Sequence, residues 1–530
     1  MDYWAKAPMA REQIILFSTT LDDRIPRYHA VRLLDEILAG YDWSEWIATY
    51  NGRVGQPPIP PRVLAALWLY GLRRGIRSTR KLEYMAAHNV DFMWLAEGHT
   101  PDYSTLSKFR TKFGKKLKSL FRYIAHIALK CEFLSLVDVA MDGTRVKANN
   151  SRHKTWTAES IEKAIDELAI EFAKRLAESK AIDRRETDVL GNVSELQLPP
   201  ELADIQVRQE KLKVIRVQLK ADDEARRKEG IDPQKNPAQI PKHDSDSRIL
   251  PNKEGGYAAN YTPLAATEGK GGYIVDCDVI VGPSEHQEFV PSMDRVTELF
   301  GQKPEHGLAD GAFATGSNIA AMEARGIEFF SPIPVPAQAN NPALRPDPTQ
   351  PVAEADWPQL PMNKQSKVLD KTCFVYDQEL NVFYCPRGET MPFEETKSET
   401  KRGEKCAWSV YRCEACPTCP LQAKCVMKTN QSGMRTVSRD VYAPERERLA
   451  AKMRTPEAKA IYDERMRIAE TPFGTIKNVM GLRQFLLRGL EKVKIEWSWA
   501  CTAFNLGKLT RDLGRSRAAA TAEMPPAPAN

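Results

Sequence analysis

The sequence predicts an α/β protein carrying all-helical additions, and three stretches support that expectation. Residues 133–141, FLSLVDVAM, form a short apolar run that stops at Asp142-Gly143, the pattern of a buried strand. Residues 305–334 repeat the pattern: an apolar stretch runs into Asp310-Gly311, a helix with Ile319, Met322 and Ala324 follows and stops at Gly326, and a new strand opens at Ile327. Residues 12–130 instead show only helical periodicity, interrupted by Gly-, Asn- and Asp-rich breaks.

A chain of 530 residues is too long for one ordinary core, and 42% hydrophobic residues place it among globular proteins. No run of 18 apolar residues occurs, and the N-terminus MDYWAKAPMAREQ lacks the apolar centre of a signal peptide, so a membrane span is not expected and a cytoplasmic location is. The net charge is only +6, but residues 70–122 hold 12 Lys or Arg against 4 acids. In that segment a helix capped at Ser104 or Thr105 places Leu106, Phe109, Phe113, Leu117 and Leu120 on one side and Lys108, Lys112, Lys115 and Arg122 on another. Such a basic side is either a solvated face or the phosphate-tracking face of a helix-turn-helix module. Arg77, Arg80, Lys108, Lys112 and Lys115 are its candidate DNA contacts.

Residues 155–232 turn strongly charged, with Ile161, Ile165, Leu168 and Phe172 at heptad-like spacing, which predicts a helical hairpin inserted after the first strand. Strands resume at GGYAANYTPLAAT and GGYIVDCDVIVG. Residues 332–361 contain nine prolines and read as a linker or extended crossing, and the segment after Arg515 reads as a disordered tail. Six of the ten cysteines fall between 385 and 425. Ten cysteines in a chain expected to be cytosolic argue against a disulfide framework. The spacing of Cys385, Cys413, Cys416, Cys419 and Cys425 suits a structural zinc held by four of the five, with Cys385, Cys416, Cys419 and Cys425 preferred. A cluster of reduced buried thiols without metal is the alternative.

Two aspartates at strand ends suggest a metal site, because functional groups gather outside the carboxyl ends of strands in open α/β sheets. Asp276 and Asp278, on one face of their strand, are a rival pair. Near the C-terminus Val493, Trp497, Ala500, Cys501 and Phe504 mark a core-facing helix. Upstream of it, Glu470 stands among Arg465, Arg467 and Lys477, where an ordinary surface ion pair is the default reading.

Taken together, Asp142 in MDGT, Asp310 in ADGAF, and Glu470 with Tyr462, Arg465 and Lys477 resemble the DDE transposases of bacterial insertion sequences. STRKLEY followed by DYSTLSKFR, and the cysteine knuckle ahead of ETPFGTIK, resemble the branch with a helical N-terminal domain. The resemblance implies an RNase H-like mixed-sheet catalytic core in which Asp142, Asp310 and Glu470 hold two Mg²⁺ or Mn²⁺ ions, with Asp142 shared between them. It also implies that Tyr462, Arg465 or Arg467, and Lys477 face the DNA end. The partners it implies are double-stranded DNA, as terminal inverted repeats and target, and a second copy in a homodimer on DNA, in the nucleoid.

The expected organisation is a helical DNA-binding domain (1–130), the first core strand (131–154), a helical hairpin (155–240), continued core (241–335), linker and zinc knuckle (336–440), core C-terminal helices (441–512) and a disordered tail (513–530). The expected activity is DNA strand cleavage and strand transfer. A catalytically silent DNA-binding repressor and a metal-dependent nuclease are the alternatives.

Overall fold

A computed structural model describes residues 20–50, 57–151, 154–190, 200–228, 230–252, 255–282, 284–333, 341–401 and 404–522. The chain divides into two units: residues 1–285, 291–304 and 466–530 form the first, and residues 286–290 and 305–465 the second. Residues 12–19 and 523–530, which belong to the expected helical and tail segments, lie outside the described residues.

The first unit is organised by the helix Leu490–Ala522, which is buried on more than one side. Val493, Trp497, Ala500, Cys501 and Phe504 are all buried. The indole of Trp497 donates to Leu264 O at 2.9 Å in the sheet, and that of Trp499 donates to Arg110 O at 3.2 Å in the N-terminal helices. Asn505, fully buried, accepts from Ile274 N at 2.9 Å and donates to Ile274 O at 2.7 Å, so a polar side chain is satisfied entirely by one residue of a strand. The N-terminal helices therefore share this helix in their core with the sheet. The segment expected to be a tail from residue 513 is instead helical to Ala522. Its alanines favour helix, and Arg517 grips the Glu36 carboxylate at 2.9 and 2.5 Å.

The predicted single helix from residue 104 is two, Tyr103–Lys112 and Leu117–Lys130. Asp102, not Ser104 or Thr105, caps the first, accepting from both of their amides. The break contains Gly114, where a Cβ would run into the Ile495 side chain, so close approach to the C-terminal helix requires a glycine there.

The sheet of this unit is antiparallel about the strand Tyr257–Glu268. Asp138–Gly143 and Val146–Lys147 pair along one edge of it, and Ile274–Ile280 and Arg248–Pro251 along the other. The first strand starts later than the apolar run suggests, at Asp138. Helices Ala158–Leu190 and Pro200–Lys228 follow it, with Ile161 and Leu219 buried against Ala238 and Ile240.

In the second unit His306–Leu308 and Glu328–Phe330 are parallel strands connected by the helix Gly316–Arg325. The fold is thus mixed α/β. A five-stranded antiparallel meander from Val375–Asp377 to Arg435–Asp440 carries the cysteine segment. The proline-rich stretch is not a free spacer over its described residues, 341–361. Ala343, Val352 and Leu360 are buried, and Trp357 donates to Val352 O at 3.0 Å. No helix among the described residues is long and apolar enough to cross a membrane.

The buried Glu496 carboxylate ties the first unit together by pairing with Arg77 at 2.8 Å, the two side chains being only 4% and 13% exposed. Glu496→Ala leaves a nearly buried guanidinium uncompensated and should cost about 3–5 kcal/mol in urea unfolding. Glu36→Ala removes only the exposed pair with Arg517 and should cost at most about 1 kcal/mol. Equal losses would contradict this ranking.

Candidate functional site

Asp142 lies inside its strand. It sits opposite Ala265 and Gly143 opposite Leu264, after which pairing lapses for two residues and resumes with Val146 opposite Tyr261. Pro263 accounts for the lapse, since it has no N–H to give the neighbouring strand, while its carbonyl accepts Thr144 N at 2.9 Å. Asp142-Gly143 is therefore no chain-reversing turn. The Asp142 residue is 9% exposed, and its Oδ1 accepts Gly143 N at 2.8 Å.

The residues just beyond Asp142 are held on several sides. At Gly143 a Cβ would collide with the Glu285 carboxylate. That carboxylate pairs with Arg145 at 2.9 Å, and Arg145 also donates to Thr262 Oγ1. The Lys477 ammonium donates to Thr144 Oγ1 and, at 3.0 Å, to Arg145 O. Thr144, Arg145 and Glu285 were not singled out from the sequence. They carry no periodicity or spacing signal, and only the register of the strand around Pro263 brings them to one place.

Glu470 lies on the helix Arg465–Gly474, which contains Pro472 and continues into a π turn, Thr475–Val479. Its side chain is exposed and has no hydrogen bond or ion pair among the described residues, so the surface pair expected by default is not formed. Arg467 reaches Gly269 O at 3.4 Å. In the second unit Asp310 caps the turn Gly311–Phe313, its Oδ1 accepting Ala312 N at 2.9 Å. Tyr462 and Arg465, also in that unit, are half-buried.

Asp142 and Glu470 thus belong to the first unit and Asp310 to the second. Among the described residues no group of three or more His, Cys, Asp or Glu side chains is arranged to hold a metal ion. All three groups are nevertheless carboxylates, the hard oxygen donors that a divalent cation such as Mg²⁺ takes. The rival aspartates are engaged otherwise. Asp276 forms a two-pronged pair with Arg295 at 3.0 and 2.7 Å and accepts from Ser292, and Asp278 pairs with Lys494 at 2.9 Å.

The basic candidates of the N-terminal helices divide by partner. Arg77 points into the unit, donating to Gly481 O at 2.8 Å, to Gln484 O at 2.5 Å and to Glu496 at 2.8 Å. Arg80 covers the Tyr103 ring at 4.9 Å, and Lys112 covers the Tyr50 ring at 4.2 Å. Lys108 and Lys115 are exposed.

Cys385, Cys413, Cys416, Cys419 and Cys425 line one hollow of the second unit together with Arg435. All ten cysteines of the chain are free thiols. Arg387 N donates to Cys385 Sγ and Arg435 N to Cys416 Sγ, each at 3.3 Å. Cys413 stands between these two sulfurs; its hydrogen bond lowers the pKa of both neighbours, and the same bonds raise its own. Cys385 and Cys416 are thereby inclined to give up their protons, the state a zinc ion requires, while Cys413 is held protonated. Burial pushes Cys425 the other way, up to about 12.

Two family models match the chain. One, described as a transposase DDE domain, matches residues 384–510, and the other, described as a transposase domain (DUF772), matches residues 19–112. The first covers the cysteine segment and Glu470, and neither reaches Asp142 or Asp310. No curated protein matches the chain.

If the thiols hold zinc, protein purified without chelator should carry one zinc per chain by elemental analysis. Cys416→Ser should then lower the stability of the second unit by several kcal/mol, since structural zinc contributes on the order of 10 kcal/mol in small domains. Metal-free protein whose melting is unchanged by Cys416→Ser would reject a zinc role for this cluster.

Proposed function

We propose, starting from the insertion-sequence transposase of the DDE type that the two domain matches indicate, that this chain binds the terminal inverted repeats of its element and cleaves and joins DNA strands at Asp142, Asp310 and Glu470. Members of this family generally use divalent metal ions. The observation that carries the reading is the docking of Lys477, seven residues beyond Glu470, onto Thr144 and Arg145, two and three residues beyond Asp142. It joins the Glu470 helix to the Asp142 strand within one unit.

Divalent cations held by the three carboxylates would supply Lewis-acid stabilisation of the charge on the phosphate and lower the pKa of an attacking water. The protein's own part is positional. Asp142 is fixed by its place in a paired strand, and the backbone after it is fixed by Lys477 and by the Arg145–Glu285 pair. Glu470, exposed and unpaired among the described residues, needs to break no competing ion pair before it takes a ligand. Lys108, exposed on an N-terminal helix, and Lys115, exposed in the turn that follows it, are the retained candidates for phosphate contacts in end recognition.

Incubation of the purified chain with element-end DNA and Mg²⁺ tests this reading. Asp142→Ala, Asp310→Ala and Glu470→Ala should each slow strand cleavage by at least about a thousandfold while end binding persists. Near-normal cleavage by any one of them would remove that residue from the site. End binding without cleavage by the unaltered chain would favour the repressor reading, and cleavage without joined products the nuclease reading.

A further inference from the structure

The loop Gly481–Gly489 lies beside the chain that leaves the Asp142 strand. Lys147 O accepts Phe485 N at 2.8 Å, Gln484 Nε2 donates to Ala148 O at 3.0 Å, and Asn149 Nδ2 donates to Leu486 O at 2.7 Å. The loop is also fixed from behind. Arg77 holds its carbonyls at 481 and 484, Glu496 accepts Leu486 N at 3.0 Å and Leu487 N at 2.9 Å, and Asp244 accepts Gly489 N at 3.0 Å.

This braced ribbon exposes Lys147, Arg483 and Arg488. None of the three forms an ion pair among the described residues, although the charge of Arg488 reaches the buried Asp244 carboxylate. Arg483 donates to the neutral Asn478 at 2.7 Å, Arg488 to the neutral Asn149 at 3.0 Å, and the Lys147 ammonium meets no partner among the described residues. Arg145, Arg295 and Arg77 in the same unit each pair with a carboxylate, so the three cations of the ribbon stand apart. A hollow of about 290 Å³ at the Lys147 end of the ribbon is lined by Lys147, Asn150, Asn252 and Gln484. Several fixed cations that form no ion pair among the described residues suit a polyanion with regularly spaced charges better than a single acid.

We infer that Lys147, Arg483 and Arg488 form a phosphate track that seats the sugar-phosphate backbone of DNA on the first unit, at the far end of the sheet edge on which Asp142 lies. The inference rests on the transposase reading given above and adds to it a binding surface separate from the N-terminal helices. Lys147 follows Asp142 by five residues along the same edge of the sheet, an odd offset that turns the two side chains to opposite faces, so the track holds a backbone along that edge and not at the carboxylate itself. The contacts are to phosphate, so they orient the strand and read no sequence.

The test is fluorescence anisotropy of the full chain with a labelled random-sequence 30-base-pair duplex, without divalent ions, over a series of KCl concentrations. Each phosphate contact contributes about 0.9 to the slope of log K against log salt. The double variant Lys147→Gln, Arg483→Gln should flatten the slope by about 1.8 units. Lys163→Gln, Lys213→Gln, on exposed helix positions of the hairpin, should leave it unchanged. Thermal melting of both variants checks that they are folded. If the unaltered chain shows no salt-dependent binding, the transposase reading falls and the track falls with it. If it binds and the ribbon variant keeps the full slope, or the hairpin variant flattens it equally, the track alone is rejected.

Discussion

The Glu496 carboxylate is the constraint on which the first unit depends. A charge 3% exposed to solvent is tolerable only when it is paired and its oxygens are hydrogen-bonded, and Glu496 meets both conditions with Arg77 and two backbone amides. Because Arg77 also holds the carbonyls of Gly481 and Gln484, one buried pair fixes an N-terminal helix end, the C-terminal helix and the loop before it. Arg77 reads in the sequence as one more member of a basic segment. Its partners lie about 400 residues away in the chain, and no local pattern discloses them.

The same limit explains what was legible and what was not. The C-terminal helix announced its buried face through five apolar positions at helical spacing, and all five are buried. The strand, helix and strand about Asp310 were marked by Gly326, which does cap the helix, while the N-cap Thr315 carried no signal that was used. The first strand was recognisable as apolar, but its interruption after Gly143 is set by Pro263 on the partner strand, over a hundred residues distant. In the long hairpin Thr390–Lys401 and Glu404–Cys413 the first strand carries no readable face, because Glu394, Glu395, Lys397, Glu399 and Lys401 leave it little apolar content; only the second alternates, at Cys406, Trp408 and Val410. The break at Gly114 was hidden for the same reason as Arg77: its cause is a side chain of a remote helix, Ile495.

The cysteine segment shows how a small module gains a core. Cys373, Cys385, Cys413, Cys416 and Cys425 are buried with Phe374, Phe383, Tyr411 and Leu421, so the thiols also serve as apolar filling. Arg435 crosses this region, donating to Cys425 O and Leu369 O at 2.9 Å each and lying over the Phe374 ring at 5.1 Å. A guanidinium close to several thiols lowers the cost of their carrying negative charge, as its effects on Cys416 and Cys425 indicate. Spacing alone pointed to these cysteines. The arginine that conditions them lies ten residues past the last one and carried no signal of its own.

The π turn at Thr475–Val479 connects these features to the candidate site. In a regular helix Lys477 would return to almost the same face as Glu470, since seven residues make nearly two turns. The wider turn after Pro472 rotates the later residues relative to the earlier ones, and π turns inside helices are frequent at functional sites. Glu470 accordingly remains exposed while Lys477 turns inward to Thr144 and Arg145. The lysine therefore acts on the strand that bears Asp142 through the protein, by holding the backbone that follows the carboxylate. In the proposed reading phosphate contact near that strand falls to cations that face solvent, Lys147 on the strand edge and Arg483 and Arg488 on the loop.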